Sequence, residues 1–289
     1  MTIFQRLDVK PNIFMRKVRL KTPISYYGGK QKLAATIVSL IPKHTLYCEP
    51  FIGGAAVFFA KRPSEIEVIN DTNRELVNFY RVAKEDFVSL EKEVRISLHS
   101  RDMHRRASVI YANPDMFSDL KRAWAVWVLS SQSFSAQLDG TWGFDISSNT
   151  TTKKIHHHKS GFTEDLAIRL QNCQIECADA LYIIGSRDSD HTFFYLDPPY
   201  YNSDCGHYNG YSQQDYESLL YLLSRIKGKF LLSSYPSPIL EKYIITQKWQ
   251  KWSIRQKVSV NAKAGNQKTK IEMLVANYPI AEQLKILEA

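Results

Sequence analysis

The chain has 289 residues, 44% of them hydrophobic and 12% aromatic, with only 12 Gly and 11 Pro, which excludes disordered, collagen-like and low-complexity polypeptides. No uncharged apolar run reaches the roughly 18 residues that span a bilayer, and charges interrupt Met1–Leu20, so no signal segment is read and a cytoplasmic protein is expected. The formal net charge of +9 is compatible with a polyanionic partner.

A helix is predicted from Lys30 to about Leu40, where Leu33, Ile37, Leu40 and Ile41 recur at spacings of three and four; Pro42 ends it. Thr45–Cys48 reads as a short buried strand, and Glu49 to Phe59 as a loop carrying Gly53 and Gly54 that turns into an apolar helix. Glu65–Ile69 is a second strand. It ends at Asn70-Asp71 and leads into a helix from about Asn73 to Val82. Two successive strand–helix units imply a parallel sheet with crossover helices. From Lys84 to Asn172 the alternation stops. Helical patterns with Trp124 and Trp127, expected in a core, give way to a polar, turn-rich stretch over 130–161. Strands resume at Gln174–Cys177, His191–Leu196 and Lys229–Ser233, and Lys251–Val258 with Ile271–Tyr278 predicts a closing antiparallel hairpin. The four cysteines (Cys48, Cys173, Cys177, Cys205) form no CxxC pair and read as buried small apolar residues, with no metal site expected.

The charge is concentrated. Residues 1–32 carry eight cations against Asp8 alone, and residues 241–270 carry eight against Glu241 alone. Such flanks suit phosphates, whose neutralisation releases counterions; ordinary solvated lysines give the same pattern.

Gly53 and Gly54 follow a strand and precede a helix, which lets backbone approach a ligand closely and offers free amides. The spacing is neither GxGxxG nor that of a P-loop, so a pyrophosphate cradle is disfavoured. One strand later, Asp71 occupies the position from which an acid holds a ribose diol. A nucleoside without phosphates fits both features; a tight turn with a helix-capping Asp is the lesser alternative. Asp197-Pro198-Pro199-Tyr200 follows an apolar strand. Its prolines fix φ and remove two N–H donors, leaving carbonyl acceptors beside a carboxylate, which suits an exocyclic amino group. Tyr200 supplies a ring on which a planar base stacks.

These residues resemble the DNA adenine-N6 methyltransferases that place a target-recognition insertion between cofactor and catalytic motifs. Tyr26-Tyr27-Gly28-Gly29-Lys30 is similar to the family's N-terminal cofactor motif, Glu49 to Ala55 to its FxGxG motif, Asp71 to its acidic position and Asp197–Tyr200 to its catalytic motif, in the family's order over most of 22–279. Ala55 departs from the final Gly. The resemblance implies a Rossmann-like α/β fold dependent on S-adenosyl-L-methionine (SAM), with a mostly parallel mixed sheet. A catalytic domain over 1–83 and 179–289 would carry a mainly helical insertion at 84–178. It implies a SAM site of Tyr26, Lys30, Glu49, Phe51, Gly53, Gly54, Asp71, Asp179 and Asp197. Lys30 would meet the methionyl carboxylate, Asp71 the ribose hydroxyls and Asp179 the cofactor adenine. Asp197, Pro198, Pro199 and Tyr200 would act on a flipped-out adenine of double-stranded DNA, methylating N6 without a metal.

The insertion balances 12 cations with 12 acids, so directed contacts rather than bulk attraction are expected from it. Arg101, Arg105, Arg106, Gln132, Ser133 and Gln137 are candidates to touch DNA. The turn Asp139-Gly140-Thr141-Trp142-Gly143 would present a hairpin, His156-His157-His158 would lie in a solvated loop near phosphates, and Lys263, Lys268 and Lys270 would contact the backbone. A methyltransferase acting on RNA adenine or cytosine N4, and a non-catalytic DNA- or SAM-binding module, are the rival readings. No nuclease motif is present, so a companion restriction nuclease would be encoded separately.

Overall fold

Strands β1 (Leu46–Glu49), β2 (Ile66–Asn70), β3 (Cys173–Glu176), β4 (Thr192–Leu196), β5 (Lys229–Ser234), β6 (Gln250–Lys257) and β7 (Thr269–Ala276) form one sheet in the order β3-β2-β1-β4-β5-β7-β6. The structure is a computed structural model that describes residues 20–201, 211–257 and 269–280. β1 to β5 pair in parallel, with Leu46 opposite Ile66 on one side and Thr192 on the other. β7 runs antiparallel to both β5 and β6, as the expected hairpin requires. Among the described residues no helix is long and apolar enough to cross a membrane.

Period-two alternation sends successive strand residues into two different layers. Tyr47, Phe193, Tyr195, Leu231 and Leu274 face one core, and Cys48, Phe194, Leu196, Leu232 and Val275 face the other. Every residue of β4 is buried as a result, which is why Thr192–Leu196 is apolar throughout rather than alternating. α1 (Ala34–Ser39), α2 (Ala56–Ala60) and α3 (Arg74–Glu85) contribute Ile37, Phe58 and Phe79 to the first layer. Asn73 caps α3 by accepting from the amides of Glu75 and Leu76 at 3.1 and 3.2 Å.

Five helices follow: α4 (Phe87–Ile96), α5 (Arg101–Ala112), α6 (Asp119–Gln132), α7 (Thr150–Gly161) and α8 (Asp165–Leu170). α6 is buried from Ala123 through Gln132, with Trp124 and Trp127 in the core as expected. It does not build a separate core: Trp127 and Leu129 belong to the same apolar cluster as Phe79 and Phe193. Arg122 of α6 forks onto Glu75 of α3 at 2.6 and 2.8 Å. Arg169 of α8 forks onto Glu67 of β2 and lies 3.8 Å above the Phe58 ring, fastening the far end of this segment to the sheet.

Three expectations are corrected. The stretch over 150–161 is helix α7, so the three histidines do not occupy a loop. β3 lies within 84–178 yet pairs with β2, so the part of the chain outside the sheet ends before Cys173. Cys48 and Cys173 are buried as expected but Cys177 is exposed; Cys205 lies outside the described residues. α9 (Ala180–Ser186), α10 (Gln213–Leu223) and α11 (Pro238–Gln247) cover the second face through Ile183, Leu219 and Leu240.

Because the core is shared, Trp127→Ala is expected to cost about 3–5 kcal/mol and to move one urea transition as a whole. Circular dichroism and tryptophan fluorescence should coincide; two separated transitions would show that the helical segment unfolds by itself.

Candidate active site

Strand order reverses between β1 and β4, and open α/β sheets bind ligands outside the carboxyl ends of the strands at that point. The loops arriving there hang on one buried amide. Asn70, the last residue of β2, donates from Nδ2 to the carbonyls of Pro50 at 2.9 Å and Ala178 at 3.0 Å, and its Oδ1 accepts from the Ala178 amide at 2.9 Å. The next residue, Asp71, accepts from the amides of Gly53 at 3.1 Å and Asn73 at 3.0 Å. Burial pushes its pKa up, against the pull of these bonds.

The close approach expected of the glycine pair is made here to Tyr26. A Cβ on Gly54 would sit 2.9 Å from Tyr26 Cβ, and one on Gly53, at φ +45°, would sit 3.1 Å from the Tyr26 ring. Tyr80 fixes the same turn by donating its hydroxyl to the Gly53 carbonyl at 2.7 Å. Ala55, at φ 58° and ψ 33°, occupies the left-handed region. The departure from glycine there is therefore carried at a backbone cost of about 1 kcal/mol.

Across the turn lies a group of charges. Lys30 Nζ donates to Asp197 Oδ1 at 2.7 Å and lies 3.5 Å from Glu272 Oε1, a residue of β7. The Tyr200 hydroxyl reaches the same Asp197 oxygen at 3.1 Å and bonds to Glu272. Its ring meets Tyr235 edge-on at 4.3 Å and lies 5.0 Å from the Lys30 ammonium. Burial works against the charge on Lys30, but Asp197 and Glu272 outweigh it and hold the ammonium above its ordinary pKa. Burial raises Glu272, as does the Asp197 charge, with Lys30 opposing. Glu49, buried behind Asp197, accepts from the Tyr47 hydroxyl at 2.7 Å; burial drives its pKa to about 8. One ammonium between two carboxylates leaves the pocket formally negative. Asp71 and a partly buried ring at Phe51 lie at the same strand reversal.

The sequence profile of D12 class N6 adenine-specific DNA methyltransferases matches residues 26–258. The chain belongs to this family. The type II methyltransferase M1.LlaDCHI of Lactococcus lactis subsp. cremoris is 27% identical, covering 91% of this chain and 97% of the relative. The type II methyltransferase M.MjaIII of Methanocaldococcus jannaschii is 25% identical, over 63% of this chain and 70% of the relative. Among solved structures, the rRNA methyltransferase AviRa of Streptomyces viridochromogenes superposes with a TM-score of 0.37 at 12% identity, over 89% of this chain and 87% of that one.

In this N6 adenine methyltransferase, Tyr26, Lys30, Glu49, Phe51, Gly53, Gly54, Asp71 and Asp197–Tyr200 converge on the reversal point. Asp179 is instead exposed and caps α9 by accepting from the amides of Leu181 and Tyr182 at 2.9 and 3.1 Å. The candidates for touching DNA are split. Arg101 lies exposed with its guanidinium 4.5 Å above the Trp142 ring, and Arg105 and Arg106 are exposed on α5, paired with Asp102. Gln137 is half-buried. Gln132 and Ser133 are corrected to structural residues. Gln132 is fully buried, accepting from the Ser100 amide and donating to the Leu98 carbonyl, and Ser133 shares a 2.8 Å bond with His104. Lys263 and Lys268 lie outside the described residues, and Lys270 stands on β7 opposite Gln256. Trp142 is antiparallel to Ser133 through a single bridge, so the 139–143 turn does close back on α6. Residue patterns missed Asn70 and Glu272; the acid within an otherwise apolar strand, Ile271-Glu272-Met273-Leu274, was the available signal for the second.

Glu49 holds its proton in the fold at pH values where the unfolded chain has lost it, so stability falls as pH rises from about 4.5 through about 8. Glu49→Gln keeps an acceptor for Tyr47 and never ionises. Its stability relative to the parent should therefore grow across that interval in urea titrations; a pH-independent difference would contradict the assignment.

Proposed function

We propose that this enzyme transfers a methyl group from SAM to N6 of an adenine extruded from double-stranded DNA, with Asp197 and the Pro198 carbonyl as acceptors for the amino hydrogens. The observation that carries it is the state of Asp197. Its Oδ1 is held by Lys30 at 2.7 Å and by Tyr200 at 3.1 Å, directly after β4 where the strand order reverses. The carboxylate is thus fixed at the carboxyl edge of the sheet, next to the Pro198 carbonyl in the chain.

SAM, when bound, supplies a methyl group made electrophilic by positive sulfur. Asp71 would take its ribose hydroxyls, Lys30 its carboxylate, and Phe51 with Tyr26 its apolar surface, while the negative surplus of the pocket favours a cation. The lone pair of adenine N6 is delocalised into the ring. Acceptors on its hydrogens draw electron density back to nitrogen, and the rigid Asp197-Pro198-Pro199 backbone holds them without reorganising. Tyr200 offers its ring to the extruded base, offsetting the few kcal/mol of unstacking. The segment after Lys84, with Arg101, Arg105 and Arg106 exposed, is assigned to target recognition, and Lys263, Lys268 and Lys270 to backbone phosphates. A separately encoded restriction nuclease is the expected companion, as the type II relatives suggest.

Sequencing of modified bases in DNA from cells expressing the chain should find N6-methyladenine within one short motif. Asp197→Ala should abolish it while leaving the circular dichroism unchanged. Methylation persisting in a folded Asp197→Ala protein, or found only on RNA or at cytosine N4, would refute the proposal.

A further inference from the structure

A carboxylate in the middle of a buried strand calls for an explanation. Glu272 is 6% exposed on β7, with Met273, Leu274, Val275 and Ala276 following it into the two cores. Desolvating a carboxylate is expensive, and a buried ion pair about breaks even against apolar residues of the same shape, so stability does not account for it. Its contacts do. Glu272 bonds the Tyr200 hydroxyl and stands 3.5 Å from Lys30, the two groups that hold Asp197 Oδ1. Tyr200 is otherwise braced on one edge by Tyr235. Without an acceptor at 272, the hydroxyl would compete with Lys30 for the single Asp197 oxygen, and the ring would lose the bond that sets its plane.

We infer that Glu272 is a positioning residue for methyl transfer: by accepting from the Tyr200 hydroxyl it fixes the ring that faces the target base and leaves Asp197 Oδ1 to Lys30. This rests on the roles proposed above for Asp197 and Tyr200. The acid reaches the pocket from the C-terminal hairpin, about 70 residues of chain beyond the motif it serves, and acts on the base only through Tyr200.

The test uses the full chain and DNA containing the methylated motif, with kcat and KM from steady-state methylation, the Kd for SAM from calorimetry and folding from thermal melts. Glu272→Leu should lower kcat about 100-fold while the Kd for SAM stays within about threefold. Glu272→Gln, which keeps the acceptor, should return kcat to within about tenfold of the parent. Tyr200→Phe should lose about tenfold, and adding it to Glu272→Leu should slow the enzyme no further, because both act through one bond. Parental kcat in Glu272→Leu, a Gln variant no faster than Leu, or multiplying losses in the double variant would each overturn the inference. If Glu272→Leu does not fold, Tyr200→Phe decides, with parental kcat overturning the inference and the tenfold loss at unchanged SAM affinity supporting it. An inactive Asp197→Ala beside a fully active Glu272→Leu would sink this inference alone; an active Asp197→Ala would sink the reading beneath it.

Discussion

A buried ammonium must be matched, and the way Lys30 is matched organises the whole pocket. Its partners are a carboxylate from the loop after β4 and another from β7, so three remote parts of the chain meet at one charge. Such an arrangement contributes little net stability, since desolvation of the ions consumes most of the Coulombic gain. What it supplies is geometry. A carboxylate tied down by an ammonium and a hydroxyl is held in one orientation, and the surrounding low dielectric strengthens it as the acceptor that the proposed reaction requires.

The scaffold that brings these groups together is a sheet with helices on both faces, and the added helical segment leans on it rather than standing apart. α6 shares the core of α3, and the ion pairs Arg122–Glu75 and Arg81–Asp119 cross between them. α3 also bears Tyr80, whose hydroxyl fixes the Gly53 turn. The surface assigned to target recognition lies on α5, which packs on α6 and through it on α3, the helix that fixes the Gly53 turn.

Strands such as Thr192–Leu196 were legible because burial on both faces leaves an unbroken apolar run, and Asp197–Tyr200 was legible because two prolines after such a run have few structural uses. α7 was not legible. Its sequence, Thr-Thr-Thr-Lys-Lys-Ile-His-His-His-Lys-Ser-Gly, buries only Ile155, so it lacks the apolar periodicity that announces a helix. Gln132 and Ser133 misled for a related reason: polarity reads as surface, whereas both satisfy buried groups at the end of α6. Gly53 and Gly54 read as a place where backbone approaches a ligand; the neighbour that crowds them in the structure is the Tyr26 side chain, more than twenty residues upstream, which no local pattern encodes. Asn70 acts through tertiary contacts of which one residue type at one position carries no trace, and Glu272 shows in the sequence only as an acid inside an apolar strand.

The placement of β7 between β5 and β6 bears on how the protein comes into being. Lys30 precedes β1 and Glu272 stands on β7, yet both belong to one charge cluster. The parallel strands β1 to β5 can pair while the slot beside β5 stays open, and β7 then inserts to bring Glu272 to Lys30 and to give β6 its partner. A polypeptide that stops between β5 and β7 holds Lys30 and Asp197 but lacks the acid that completes their cluster, and its β5 edge stays open.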